Sequence, residues 1–317
     1  MNMKDEHLKL ITKICKLYYY EAWTQEKLAE KFDISRPQIS KMIQKAREIG
    51  IVEIIVRDDP FQTSELEKEL EHRYGLKQVL VVPTRDLNKE SVTGAVGRAA
   101  AHFVQRLIKS GMRIGVSWGN TLYHMVREFP LDKKDDVRIL PLIGGTGNVR
   151  TEVHSNYIAY ELSKKIGASC GSLYAPFLVE SDSLYTQVVA MPGVSDVLRD
   201  AQNIHLALVG IGNPFSMSTM ERFGYLSETS LQELRELGTV ADINSRFIDG
   251  NGRIVDHPIN RRIVGMNLDQ LKGVNNVVGF AFGQHKIECI RAALRGNYLH
   301  MLVTDEATAA KIVGTTD

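Results

Sequence analysis

Four stretches of the sequence set glycines beside hydroxyl and amide side chains: "GVSWGNT" (115–121), "LIGGTGN" (142–148), "VGIGNP" (209–214) and "GFAFGQHK" (279–286). Each closes an apolar, strand-like run. Glycine lets a backbone come close to a ligand, and a helix that starts just beyond offers free N–H groups and a partial positive charge. That chemistry suits a small anion. In the first loop the candidates are Gly115, Ser117, Trp118, Gly119, Asn120 and Thr121. In the second they are Gly144, Gly145, Thr146, Gly147 and Asn148. Gly210 and Gly212 shape the third, and Gly283 with Lys286 the fourth, where the lysine neutralises a phosphate. Asp242, in "TVADINSRFIDGNG", is either a partner for sugar hydroxyls or a turn or cap aspartate, and "DGNG" is a hairpin signal.

None of these loops is specific alone. A full GxGxxG with its acidic partner is missing, as is a phosphate-loop Lys-Ser pair. Asp242, His285 and Glu288 offer acid and base groups, but their spacing does not demand catalysis; His285 reads better as a ligand or helix-cap contact. His102, His124, His154 and His300 show no metal-binding spacing. No catalytic residue, metal or cofactor is therefore expected.

The elements that would carry these loops alternate. Strands are expected at "QVLVVPT", "MRIGVSW", "VRILPLIGG", "IHLALVGIG", "NVVGFAFG" and "YLHMLVT". Helices are expected after Asn88, Asn120 and Thr151 and over "KIECIRAALRG". The alternation predicts an α/β domain over residues 59–317 with a doubly wound, mostly parallel sheet. In such a sheet, ligands sit outside the carboxyl ends of the strands.

Residues 1–58 have another character. Leu8, Ile11, Cys15 and Tyr18 recur at helical spacing, and this first helix reads as support for the two helices after it. The aromatic residues Tyr18, Tyr19, Tyr20 and Trp23 at its end read as packing. "TQEKLAEKF" opens on Thr24 as N-cap, "DIS" turns, and "SRPQISKMIQKAREIG" opens on Ser35 with Pro37 in the first turn and closes at Gly50. Leu28, Ala29, Phe32, Ile34, Ile39, Met42 and Ile43 form the inner face, and Asp33 takes the turn position that tolerates a left-handed backbone. This is a helix-turn-helix, with a short strand or wing after it in "IVEIIVRDD". Its outer face carries Ser35, Arg36, Gln38, Ser40, Lys41, Gln44 and Lys45. Arg and Gln can read base edges, while Lys and Ser can hold phosphates; Thr24 and Gln25 at the start of the preceding helix join that set. Double-stranded DNA is the implied partner.

The formal charge of +1 excludes a uniformly basic nucleic-acid coat protein, so any DNA contact must be local. Cys15, Cys170 and Cys289 are scattered without a CxxC pair, which fits a reduced, cytoplasmic setting. "MNMKDEHLKLITKI" places charges where a signal peptide needs an apolar run, and no segment is apolar enough to span a bilayer.

Taken in order, "TQEKLAEKFDISRPQISKMIQKAREIGIVEI", "GVSWG", "PLIGG", "VGIG", "DINSRFIDGNG" and "ALRGNYLHMLVTDEATA" resemble the SorC family of bacterial sugar-responsive transcriptional regulators over nearly the whole chain. The resemblance implies a winged helix-turn-helix domain joined to an effector domain similar to sugar-phosphate isomerases and deaminases. It implies a homodimer or homotetramer whose operator affinity is set by a phosphorylated sugar or polyol. By motif it assigns the "GVSWGNT" and "GGTGN" loops, Asp242 and Lys286 to the effector site. A deoxyribonucleoside-responsive member carries, at the place of Ile143, a lysine that forms a Schiff base with deoxyribose 5-phosphate. Isoleucine cannot do so, so noncovalent binding of another effector is expected. "PLIGG" is closer to the sorbitol and sorbose branch. The alternative is an isomerase- or deaminase-like enzyme with an auxiliary DNA-binding domain.

Overall fold

Three helices fill the amino-terminal part: α1 (Met3–Tyr19), α2 (Gln25–Phe32) and α3 (Arg36–Glu48). The computed structural model describes residues 3–52, 60–85, 87–145, 151–216 and 218–314. By contacts the chain divides into two compact units, Met1–Asp58 and Asp59–Asp317. In the first, Ile11 and Ile14 of α1 bury against Leu28 of α2 and Ile39, Ile43 and Ala46 of α3. Ala29, Phe32, Ile34 and Met42 pack around that centre, and Leu8 is largely exposed. The tyrosines divide: Tyr18 packs, but Tyr20, expected inside, is 85% exposed. It lies just past the last turn of α1, where the helical stripe no longer points inward. The turn between α2 and α3 is left-handed at Asp33 (φ 52°, ψ 46°). Thr24 accepts a hydrogen bond from Lys27 N–H (3.2 Å) and so caps α2. Beyond α3, Ile51 and Val52 fold back onto Ala46; the rest of the expected wing, residues 53–59, lies outside the described residues.

The second unit begins with α4 (Pro60–Tyr74), β1 (Gln78–Val82), α5 (Lys89–Leu107), β2 (Arg113–Val116), α6 (Asn120–Glu128) and β3 (Arg138–Pro141). It continues with α7 (Ser155–Ile166), β4 (Ser169–Cys170), α8 (Asp182–Ala190), α9 (Pro192–Ala201) and β5 (Leu206–Gly212). Then come α10 (Thr219–Arg222), α11 (Glu228–Glu236), the hairpin β6 (Thr239–Ile243) and β7 (Arg246–Asp249), α12 (Pro258–Arg262) and α13 (Leu268–Lys272). The chain closes with β8 (Val277–Phe280), α14 (Ile287–Arg295), β9 (Met301–Asp305) and α15 (Glu306–Val313). Seven strands run parallel in the order β1-β9-β8-β5-β2-β3-β4. The hairpin β6–β7 pairs antiparallel and hangs from the end of β5.

The alternation of strand residues explains the two layers. Leu206 and Leu208 of β5 face a core with Ala100 of α5, Leu122 of α6 and Ile158 of α7. Ala207 and Val209 face the opposite core with Leu70 of α4, Val197 of α9, Ile290 of α14 and Ile312 of α15. The edge strand β1 is protected by its own helix: Val81 and Val79 donate their N–H groups to Glu67 and Glu71 of α4, both at 2.8 Å.

The sheet reverses direction between β2 and β5, since β2 leads to β3 on one side and β5 to β8 on the other. This switch point opens a crevice at the carboxyl ends of the two strands.

A first prediction comes from the small unit. Leu28 is fully buried among helices too few to re-close around a void. Leu28→Ala should cost this unit about 2–5 kcal/mol. Helical signal in urea unfolding should show that loss as a new, earlier transition that leaves the transition of the larger unit in place.

Candidate functional site: an exposed basic helix and a cavity at the sheet edge

On the three-helix unit, α3 turns its outer face to solvent. Ser35, Arg36, Gln38, Ser40, Lys41, Gln44 and Lys45 are all exposed, as is Thr24, while Gln25 is half-buried. Their side chains are not equally available. Gln38 Oε1 accepts from both the backbone N–H (3.1 Å) and the hydroxyl (2.8 Å) of Ser35, so Gln38 fastens the start of α3. Gln44 donates to Glu48 (3.1 Å). Arg36 pairs with Glu26 of α2 at 3.0 Å, both well exposed. An ion pair in water contributes at most about 1 kcal/mol, so a phosphate or a guanine edge can displace Glu26.

The crevice at the switch point is a cavity of about 690 Å³, within the range of small-molecule sites. Among the candidates from sequence, Ser117, Trp118, Gly119, Asn120, Thr121, Gly210, Gly212, Asp242, Gly283 and Lys286 line it. Gly119 (φ 128°) is the N-cap of α6, so a helix N-terminus opens onto the cavity. Three other candidates are off its wall. Gly115 lies within β2, where a Cβ would overlap Leu142 and Ile204. A Cβ on Gly144 would stand 2.6 Å from the Pro176 carbonyl, and one on Gly145 2.8 Å from His154 Nδ1. These glycines are explained by close packing. Thr146, Gly147 and Asn148 lie outside the described residues.

Asp242 owes its position to β6. Its partner in the antiparallel pairing is Gly212, where a side chain would overlap the Asp242 carboxylate. Burial pushes the Asp242 carboxyl up to about 6, against the opposing pull of Lys286 and of the Ser245 N–H that it accepts. Burial in turn lowers the Lys286 ammonium, which Asp242 partly restores. The two act on each other electrostatically across a poorly solvated wall.

Sequence reasoning missed the parts that hold this wall together. Asn244 and Ser245 form the turn of the β6–β7 hairpin, both left-handed (φ 46° and 63°) and both buried. Ser117 Oγ donates to Asn244 Oδ1 and Trp118 Nε1 donates to Ser245 Oγ, each at 2.7 Å. The legible signal was "NS" inside the alternating run "VADINSRFID"; the expected turn at "DGNG" also forms, closing Ile248 against Ile254. Asn213 donates to the His285 carbonyl (2.8 Å), and Asp305 and Thr308 both accept the Gly283 N–H (3.1 and 2.8 Å). Ile143 lies off the cavity, bridged to Gly265 and packed in the apolar cluster that includes Trp118 and Phe177.

Known proteins share this architecture. The family described as "Putative sugar-binding domain" matches residues 58–314. The "Sorbitol operon regulator" of Klebsiella pneumoniae is 29% identical over 307 residues, covering 96% of this chain and 98% of that protein. The "Deoxyribonucleoside regulator" of Bacillus subtilis is 28% identical, covering 98% of this chain and 99% of that protein. The crystal structure of the full-length sorbitol operon regulator SorC from Klebsiella pneumoniae superposes with a TM-score of 0.82 at 30% identity, covering 96% of this chain and 98% of that one.

The buried carboxyl gives a prediction with two signs. If Asp242 holds a ligand hydroxyl, it accepts it in its ionised form, and with a midpoint of about 6 the ionised fraction falls roughly tenfold between pH 7 and pH 5. Affinity for a hydroxyl-bearing ligand should fall by about that factor. Folding responds the other way: the raised carboxyl pKa means that the folded chain binds the proton more readily, so its contribution to stability grows as pH drops through 6. Asp242→Asn should flatten both profiles, read by calorimetry and by urea midpoints; an unchanged pair of profiles would place the titration elsewhere.

Proposed function

The chain belongs to the SorC family of sugar-responsive transcriptional regulators, and from that premise we propose how its two units divide the work. The three-helix unit grips double-stranded operator DNA with α3 in the major groove, and Arg36, Lys41 and Lys45 make its phosphate and base contacts. The cavity of the larger unit takes a phosphorylated sugar or polyol reversibly and without a covalent bond, and occupancy sets operator affinity. The assembly is a homodimer or homotetramer in the cytoplasm on a two-fold operator, with half-sites spaced by whole helical turns.

One observation carries the reading. The cavity sits at the topological switch point and combines a helix N-terminus, a lysine and a carboxylate, which together suit a ligand with one anionic end and hydroxyls. The effector moves the equilibrium between DNA-bound and free forms only by its differential affinity for the two.

The pair Asp242–Lys286 also favours a second reading. A carboxyl near 6 beside a lysine in a cavity is what an isomerase or deaminase would use. We place the weight on sensing, because the relatives are named regulators and a DNA-gripping helix serves no metabolic catalyst. Turnover of a sugar phosphate by the purified protein would reverse that weight.

The experiment is fluorescence anisotropy on DNA from upstream of the protein's own gene, with a panel of sugar and polyol phosphates. Arg36→Ala should weaken DNA binding about tenfold, the loss of one paired contact, with effector affinity retained. Lys286→Ala should abolish the effector response with DNA affinity retained. Wild-type DNA affinity should also fall steeply with salt. Equal damage to both functions by each substitution would overturn the two-site picture.

A further inference from the structure

The hydrogen bonds around the hairpin turn settle which way the wall of the cavity is polarised. Asn244 is 2% exposed, and its Nδ2 donates to the Met266 carbonyl at 2.9 Å. Met266 is itself pinned, its N–H donating to the Leu142 carbonyl at 2.8 Å. A flipped amide would turn Asn244 Oδ1 against that carbonyl, oxygen to oxygen. The oxygen of the amide therefore faces Ser117, and Ser117 must donate its only hydroxyl proton to it (2.7 Å). Ser117 is 1% exposed, its backbone N–H is held by the Leu208 carbonyl at 2.9 Å, and Asn244 Oδ1 is the acceptor that its hydroxyl meets. What remains on its oxygen is lone pairs.

A hydroxyl after a glycine-flanked strand end reads from sequence as a donor to phosphate. The geometry denies that role. The dianion of a phosphate monoester, the main form at neutral pH, only accepts, and against Ser117 it would meet another acceptor. A sugar hydroxyl can donate there. The same holds one residue pair away, where the Asp242 carboxylate accepts from the Ser245 N–H and also lines the cavity.

We propose that Asn244 is a positioning residue that fixes Ser117 as a hydrogen-bond acceptor, so that Ser117 and Asp242 receive hydroxyl protons of the effector and phosphate oxygens are kept off the Ser117 hydroxyl itself. The assignment rests on the effector reading given above. It makes Ser117 a specificity-determining residue: it selects for a hydroxyl on the carbon that faces it and against a deoxy or phosphorylated carbon at that position.

The test is calorimetric titration of the full-length protein with inorganic phosphate and with a panel of hexitol, ketohexose and pentose monophosphates, taking the tightest member as the probe. Ser117→Ala should weaken the sugar-phosphate probe about tenfold and leave inorganic phosphate unchanged. Ser117→Cys keeps the shape and offers a poor acceptor, so it should give a loss of similar sense and guard against a folding defect in the alanine variant. Asn244→Gly tolerates the left-handed turn and frees the Ser117 proton. It should raise the affinity for inorganic phosphate above that of the wild type, which a loosened hairpin tip alone would not do. Loss of inorganic phosphate binding in Ser117→Ala would overturn the assignment, because Ser117 would then be a phosphate donor. Failure of the wild-type protein to bind any member of the panel would instead overturn the effector reading, and this assignment with it.

Discussion

Two buried hydrogen bonds of 2.7 Å, Ser117 to Asn244 and Trp118 to Ser245, tie the end of β2 to the tip of the β6–β7 hairpin. Much of the site depends on them. The hairpin hangs from β5 by only two paired residues, Ile211–Ile243 and Gly212–Asp242. The clamp at its tip adds to the bonds that Arg246 donates to the carbonyls of Asn260, Ile263 and Gly265, and together they hold the ribbon with Asp242 over Gly212. With the clamp, the turn, the strand end and the start of α6 form one unit. The left-handed backbone at Asn244 and Ser245 matches the right-handed twist of a two-residue hairpin, and Asn is among the few residues that accept it readily.

The clamp has an electrostatic consequence. It buries the carboxylate of Asp242 and holds it near Lys286, where water cannot solvate either well. A paired charge in such a place contributes little to folding, and often less than an apolar pair of the same size would. The proposed function gives the pair a reason: a site that discriminates among polar ligands needs polar groups already desolvated and aimed. The cost is borne by the large apolar layers on both faces of the sheet, built from elements such as α5 and α14 that take no part in the site beyond positioning strand ends.

Much of this was legible in the sequence, and the limits have physical causes. All six expected strands form, since a parallel strand buried on both faces is a continuous apolar run that stands out from amphipathic helices, as "IHLALVGIG" does. The helix-turn-helix was legible to the residue, from the caps Thr24 and Ser35 to the left-handed Asp33, because caps and turns are local chemistry. The glycines were harder. Gly115, Gly144 and Gly212 look alike on paper, yet the first two clear space for packing and the third clears space for a carboxylate on a strand 30 residues away. Tertiary contact alone separates those cases. The same limit hid Asn244, whose importance lies in partners at positions 117 and 266, and it made Ser117 read as a donor when its proton is already committed.

The aromatic environment of Trp118 shows where binding energy can be turned into a change of shape. Its single N–H is spent on Ser245, so the indole meets its neighbours through its ring: Phe177 at 5.0 Å, and Phe223 and Tyr225 at 6.0 Å. Phe223 and Tyr225 belong to the stretch around α10, which also supplies Ser218, Thr219 and Met220 to the cavity wall. This wall is made of a four-residue helix and loops, against strands and long helices elsewhere, and it joins the rest through ring contacts, the buried side chains of Met220 and Leu226 and the Asn213–His285 bond. Ring contacts are each worth about 0.5–1.5 kcal/mol beyond burial and slide at little cost, unlike the buried bonds of the clamp. On the proposed reading, a ligand in the cavity would press on this aromatic wall while the Ser117–Asn244 bond keeps the end of β2 fixed. A sensor needs that asymmetry: if both walls yielded equally, occupancy would be absorbed inside the cavity and there would be no difference between states for DNA affinity to follow.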